Sequence, residues 1–375
     1  MTAPPRIGIL GIGQRGLQHL AALWRLQEEG VAQVAALGDM HEPNLVEEKI
    51  RRHVPDYRQE SVRRYTSLDT LQAAEELEAL YVCIPPNRHN GEVVCAAERG
   101  LNLFVEKPMS LDLQEAHAMD VAIERNNVIA AVGFQERYDA WHAAMHEYLR
   151  GKRIVMATMV HTGSVESHNA KHTPTEDLGG PASRVWTAFQ DWSGSSVVEA
   201  GIHQTDLMRY WCGEIDSVQA HYVPRDSALA AIEGDNPTAY SVTYTFANGA
   251  VGHLIMSRLA RVFYQESYMH VLWDHGHLSL EPQGPVAYFH DGAYTPRTPP
   301  SAEVLRHRLP AGNRGDATLE ANRAFVRAVA QGDPSYIRSP FSDAMYSLAA
   351  VLGANVSAGR DGASVSIQDL LTRAR

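Results

Sequence analysis

The stretch "GILGIGQRGLQHL", residues 8–20, decides how this chain begins to fold. An apolar run ends in Gly11-x-Gly13-x-x-Gly16 and passes directly into a segment with helical spacing. In that setting Gly11 permits the tight turn, and Gly13, beside Ile12 in the same loop, lets the backbone approach a pyrophosphate. Gly16 allows close packing of helix on strand, and the helix N-terminus faces the phosphates. By itself the pattern is only a glycine-rich turn; the flanking strand and helix make it a dinucleotide fingerprint. A second apolar run, "VAQVAALGD" (31–39), ends at Asp39, where an acidic residue is expected to hold the ribose 2′-hydroxyl. A carboxylate there repels a 2′-phosphate. Met40 and His41 supply no arginine for one, so NAD is favoured over NADP.

Outward from this start, short apolar runs alternate with helical segments as far as "VIAAVGFQERY" (128–138). Continuous apolar strands suit a parallel sheet covered on both faces, and the alternation predicts a doubly wound α/β fold. "RRYTSLDTLQAAEELE" (63–78) is expected to hold one short strand before a helix. After about residue 150 the strand-like runs lose their intervening helices. "FANGAVG" (246–252) places Asn-Gly between two of them, a hairpin signal. The reading is a Rossmann domain over 1–126 and, over 127–375, an α+β domain built on a large, mainly antiparallel open sheet. The final helices are expected to pack back on the first domain. The segment 162–196 is long, irregular and polar, which in a compact domain points to a functional loop.

Composition bounds the function. With 33 basic and 44 acidic residues the net charge is −11, which argues against nucleic acid and anionic membranes as partners. No apolar run approaches the ~20 residues of a membrane span. The start lacks the basic and apolar regions of a signal peptide. The three cysteines, Cys83, Cys95 and Cys212, have no metal or disulfide spacing. A reducing, cytoplasmic location is expected.

Three constellations bear on chemistry. "PPNRHN" (85–90) puts Pro85, Asn87 and His89 at one strand tip, and "EKP" (106–108) puts Glu106 and Lys107 at the next. Ligands of open parallel sheets bind beyond such tips, so Lys107 is either a helix-leading surface residue or a reacting group. In "SGSSVVEAGIHQTDLMRYWCG" (193–213), helical spacing aligns Glu199, His203, Asp206 and Tyr210 on one stripe. Such a stripe is either a solvated face or, through Glu199 one turn before the His203 imidazole, a proton-transfer pair. In the second reading Glu199 orients His203 and raises its pKa. His168 and His172 mimic a metal pair at i, i+4 but lack a convincing third ligand. No metal is expected, and a polar lid or substrate loop is the better reading there.

The combination of G-x-G-x-x-G, an acid after strand two, "EKP" after strand five and G-x-H-x-x-D in the second half resembles the glucose-fructose oxidoreductase / inositol dehydrogenase family (Gfo/Idh/MocA). The resemblance runs along almost the whole chain, through "PPNRHN", "VGFQERY" and the C-terminal "FVRAVAQGDPSYIRSPFSDAMYSLAAVLGANVSAG". It implies a Rossmann domain, homodimers or homotetramers formed across the open sheet, and hydride transfer between NAD and a secondary alcohol of a sugar, glycoside or cyclitol. It also implies that Lys107 contacts the reacting hydroxyl and the nicotinamide ribose, that His203 is the acid/base, and that Pro108 can follow a cis peptide. Gln135, Arg137 and Tyr138 are candidates for contacts to substrate hydroxyls, with a structural ion pair as the alternative for Arg137. "SGS" (193–195) stands for the usual triple glycine, and Glu199 for the usual aspartate. Both departures bear on substrate and proton relay. An NAD-using glycosidase and a non-enzymatic NAD-binding regulator are the competing functions.

Overall fold

The computed structural model describes residues 3–74, 76–164, 185–225, 234–259, 267–290 and 304–375. Six strands form the first sheet: β1 (Arg6–Leu10), β2 (Gln33–Gly38), β3 (Arg63–Tyr65), β4 (Ala79–Val82), β5 (Asn102–Val105) and β6 (Ala130–Val132). All neighbours are parallel, in the order β3-β2-β1-β4-β5-β6. This is the doubly wound order whose switch point lies between β1 and β4. The short β3 and the helix Leu68–Ala74 fall where the sequence placed them. Because β6 pairs with β5, the first sheet continues past the expected boundary at residue 126. A three-residue strand is too short for its own periodicity to mark it.

Among the described residues, the second sheet has nine strands. They are β7 (Ile154–Ser164), β8 (Ile215–Val223), β9 (Ala239–Phe246), β10 (Val251–Leu259), β11 (Ser267–Trp273), β12 (Gly276–Glu281), β13 (Gly284–His290), β14 (Val304–Arg308) and β15 (Val365–Ser366). Their order is β14-β13-β12-β11-β7-β10-β9-β8-β15. Among the described residues, only the central β7–β10 pair is parallel. The Asn248-Gly249 turn joins β9 to β10 as expected, with Gly249 at φ 84°.

One face of this sheet is dry. Tyr240, Val242, Tyr244 and Phe246 alternate inward along β9 and meet Ile202, Leu207 and Trp211 of the helix Gly201–Cys212. The helix Phe341–Ala358 lies close on β8 because its contact residues are small; a Cβ on Gly353 would stand 2.9 Å from Val218. Preceding it, the helix Ala317–Gln331 packs back on the first domain. Its Phe325 meets Tyr81 and Phe104 edge-on, at centroid distances of 5.4 and 5.5 Å. Among the described residues, no helix is long and apolar enough to cross a membrane.

Candidate active site

The nucleotide end is built by sterics. Gly11 takes φ 91°, and a Cβ there would meet the Cys83 carbonyl oxygen at 2.6 Å; a Cβ on Gly16 would lie 1.8 Å from the Gly11 carbonyl oxygen. Gly13, by contrast, faces open space, the room a pyrophosphate needs against bare backbone. Asp39 follows β2 and is held to this loop. Its Oδ2 accepts the Ile12 N–H at 2.7 Å and the Asn44 amide at 2.9 Å, and its Oδ1 accepts the His41 N–H at 2.8 Å. The residues present therefore fit a dinucleotide: an uncluttered glycine, a helix N-terminus and a fixed carboxylate.

At the tip of β4, Asn87 Oδ1 is buried with no hydrogen-bond partner among the described residues, an open acceptor position for a ligand donor. His89, two residues on, is engaged through one ring nitrogen. Its buried ring is paired through Nδ1 with Glu92, whose other oxygen accepts the Asn90 N–H at 2.7 Å. That pairing ties the loop to the following helix, and the expected cofactor contact would fall to Nε2.

At the tip of β5 the Lys107–Pro108 peptide is cis, as the resemblance implied. Glu106 points inward. Burial would raise its carboxyl, but the Arg15 guanidinium, the His19 ring and Lys107 outweigh that and hold it well below the usual range. Lys107 reaches the other way. Its Nζ donates to the Glu199 carbonyl at 2.7 Å and lies 3.3 Å from Glu199 Oε1.

That contact corrects one expectation. Glu199 ends a short helix, Ser196–Glu199, and Ala200 separates it from the next, Gly201–Cys212. The continuous stripe is thus broken between Glu199 and His203, and the Glu199 carboxylate serves Lys107. The expected rise in the His203 pKa is reversed: burial, then the Lys107 ammonium, pull the imidazole down to about 4. Glu136 and Glu106 oppose this shift. His203 Nδ1 is buried without a hydrogen-bond partner among the described residues, as are Gln135 Oε1 and Gln204 Oε1. Buried polar atoms are rarely left unpaired except where a ligand or water completes them. Glu136 was not singled out in the sequence. Burial would raise its carboxyl, but its hydrogen bond to His142 and the nearby charges bring it to about 2.

Arg137 and Tyr138 are not part of this wall. Arg137 donates to both oxygens of the buried Asp206, at 2.8 and 2.7 Å, and to the Arg338 carbonyl at 2.7 Å. The Tyr138 hydroxyl accepts the Arg338 N–H at 2.8 Å. Their expected roles as substrate contacts give way to a structural one, the ion-pair alternative in the case of Arg137. Removing one partner of such a pair leaves a buried charge uncompensated, so Arg137→Met should cost about 3–5 kcal/mol in urea unfolding. Native-like stability would reopen a substrate role for it. Glu136, Asp139 and His142 bring one donor atom each within 4.8 Å of one another, but Arg314 already bonds Asp139 at 2.5 Å and approaches Glu136 at 3.5 Å. A guanidinium already meets that charge. His168 and His172 lie outside the described residues.

A family model described as "Oxidoreductase family, NAD-binding Rossmann fold" matches residues 5–134, and its partner, the GFO/IDH/MocA C-terminal domain, matches 144–279. The chain belongs to the GFO/IDH/MocA oxidoreductase family. It is an enzyme, and its cofactor is NAD. The scyllo-inositol 2-dehydrogenase (NAD(+)) of Bacillus subtilis (strain 168) is 28% identical over 257 residues, 68% of this chain and 67% of that protein. The inositol 2-dehydrogenase of Rhizobium meliloti (strain 1021) is 24% identical over 87% of this chain and 97% of its own. Levoglucosan dehydrogenase, solved in complex with NADH and L-sorbose, superposes with a TM-score of 0.77 at 18% identity, covering 98% of this chain and 99% of that one. That last likeness is one of fold.

Proposed function

We propose that this oxidoreductase oxidises a secondary alcohol of a sugar, glycoside or cyclitol, with NAD as hydride acceptor. The observation that carries the reading is a cation and a neutral imidazole placed together beyond the strand tips. Lys107 is anchored on Glu199, and His203, held to about 4, is unprotonated at neutral pH. The substrate hydroxyl sits between them. As its carbon loses hydride, His203 accepts the hydroxyl proton and Lys107 stabilises the developing alkoxide. Glu136, ionised throughout, favours the imidazolium that results. When bound on the Gly11–Gly16 loop, NAD supplies the nicotinamide carbon that takes the hydride. Asn87 and Gln135 offer acceptors toward cofactor and substrate hydroxyls.

The inositol dehydrogenases among its relatives support a polyol substrate. The outward face of the nine-stranded sheet carries Ile255, Tyr268 and Leu272, each more than a third exposed, which supports pairing of two or four copies across it. Cys83, Cys95 and Cys212 form no disulfide with one another, which supports a cytoplasmic setting.

A panel of inositols, sugars and glycosides assayed for NAD⁺ reduction tests the reading. At least one polyol should give stoichiometric NADH. Glycoside cleavage with no net NADH would overturn it in favour of an NAD-recycling glycosidase. With the active substrate, kcat/KM should be higher for NAD⁺ than for NADP⁺, and Asp39→Ala should narrow the gap by roughly tenfold, since it removes a like-charge clash worth a few kcal/mol at most. Equal use of both cofactors by the native enzyme would refute the role given to Asp39.

A further inference from the structure

We propose that Arg15, His19 and Asn322 are positioning residues for Lys107, forming a buried relay that fixes the lysine-bearing strand tip from two helices at once. The proposal rests on Lys107 being the hydroxyl-binding cation.

The relay converges on Glu106. Its Oε1 accepts Arg15 Nε at 3.1 Å, Arg15 Nη2 at 2.8 Å and His19 Nε2 at 2.8 Å. Its Oε2 accepts the backbone N–H of Lys107 itself, at 3.2 Å. One carboxylate therefore ties the helix Gln14–Glu28, which opens on the phosphates, to the peptide that launches the lysine. The carboxylate occupies space that only a glycine at position 133 leaves open. Gly133 faces it so closely that a Cβ there would meet Oε1 at 2.5 Å.

His19 extends the relay. Burial lowers its pKa, so the ring carries one proton, and a carboxylate on Nε2 requires that proton there. Nδ1 is then an acceptor, and the Asn322 amide donates to it at 2.9 Å. The same amide nitrogen donates to the Thr318 carbonyl at 2.7 Å, which fixes which way Asn322 points. The ring is wedged against Tyr81 and Phe104, at centroid distances of 5.4 and 4.9 Å. Asn322 belongs to the helix Ala317–Gln331, so the C-terminal part of the chain reaches the strand tip through three side chains.

The Lys107 side chain must span from this pinned peptide to Glu199. Displacement of a reacting group by about 1 Å can cost a hundredfold in rate. A carboxylate freed from Arg15 or His19 would release that peptide, and Nζ with it. A network that served only to stabilise the core would leave Nζ where it is.

The test compares full-length Arg15→Met, His19→Leu, Arg15→Lys and His19→Gln with the native enzyme. The first readout needs no turnover: the rate at which formaldehyde and cyanoborohydride methylate Lys107, followed by peptide mass. Roughly tenfold faster labelling is expected in Arg15→Met and His19→Leu, the size that follows if Nζ leaves Glu199 for most of the time. His19→Gln, whose amide can donate to Glu106 and accept from Asn322, should recover most of the protection, with Arg15→Lys between. The second readout is kinetic. In the two disruptive variants kcat should fall about thirtyfold with the polyol KM within about threefold, because a misplaced cation is felt most in the transition state.

Native-like labelling with a lowered Tm would overturn the proposal and leave the network a core ion cluster; unchanged kcat would do the same. If the native enzyme oxidises no polyol, the reaction reading fails by itself, and the labelling rates still decide the relay. Should either disruptive variant not fold, Asn322→Ala, one bond further from Glu106, must show the same acceleration or the relay is refuted.

Discussion

Lys107→Ala is expected to lose about a hundred- to a thousandfold in kcat/KM while NADH binding, followed by fluorescence, changes by only a few-fold. The loss follows from what Nζ does. It is a donor fixed by the Glu199 carbonyl at 2.7 Å and the Glu199 carboxylate at 3.3 Å, and in the proposed reaction it meets the negative charge that grows on the substrate oxygen. The dinucleotide, on the same proposal, is held elsewhere, by the Gly11–Gly16 loop and Asp39. Truncation also strips the nearly buried Glu199 carboxylate of its cation, so part of any loss could be instability. The double variant Lys107→Ala/Glu199→Gln separates the two effects: it should recover Tm and not activity. Near-native turnover in Lys107→Ala would return the lysine to an ordinary helix-leading residue.

The second large effect is expected at His203. His203→Ala should lower kcat/KM for oxidation by about a hundred- to ten-thousandfold, the range general-base catalysis spans. The pH profile carries the sharper signature. Burial and the Lys107 ammonium hold the imidazole to about 4. Below that pH the ring is protonated and cannot accept the hydroxyl proton, so oxidation falls on the acid side near pH 4. An ordinary histidine would place that limb near ~6.5. The reverse reaction needs the protonated ring, so its limb runs the opposite way and reduction weakens as pH rises through the same value. The alanine variant should lose both limbs, with substrate deuteration confirming that hydride transfer limits the rate. An acid limb centred near 6.5 in the native enzyme would contradict the arrangement. So would a limb that survives in His203→Ala.

Much of this was legible in the residues. The glycine spacing, Asp39, the β5 tip and the helix bearing His203 were placed by patterns that local sterics enforce, since each needs only its own neighbours. The errors share a different cause. Glu199 and His203 are one turn apart by count, but the break at Ala200 depends on how two helices meet the sheet, and Lys107 is 92 positions away from the carboxylate it claims. Arg137 stayed open between a hydroxyl contact and an ion pair because its Asp206 partner arrives from another element, 69 residues later. His19 and Arg15 drew no notice because the variable positions of a glycine fingerprint carry no expectation. A charged residue facing strands β4 and β5 was the available signal, since apart from Asn102 both strands are apolar or aromatic.

The return of the chain onto its own beginning has a consequence for how such a protein can be rearranged. After the second sheet is largely built, Phe325 fills the aromatic cluster of Tyr81 and Phe104, and Ser339 caps the edge of β6 by accepting the Val132 N–H at 2.9 Å. Pro340 extends that edge with a bridge to Ala131. The nucleotide-binding half is therefore no transplantable cassette: excised near residue 134, it would lose a piece of its interior and expose an open strand. Recombination or gene fusion could move this enzyme only whole, with insertions confined to loops.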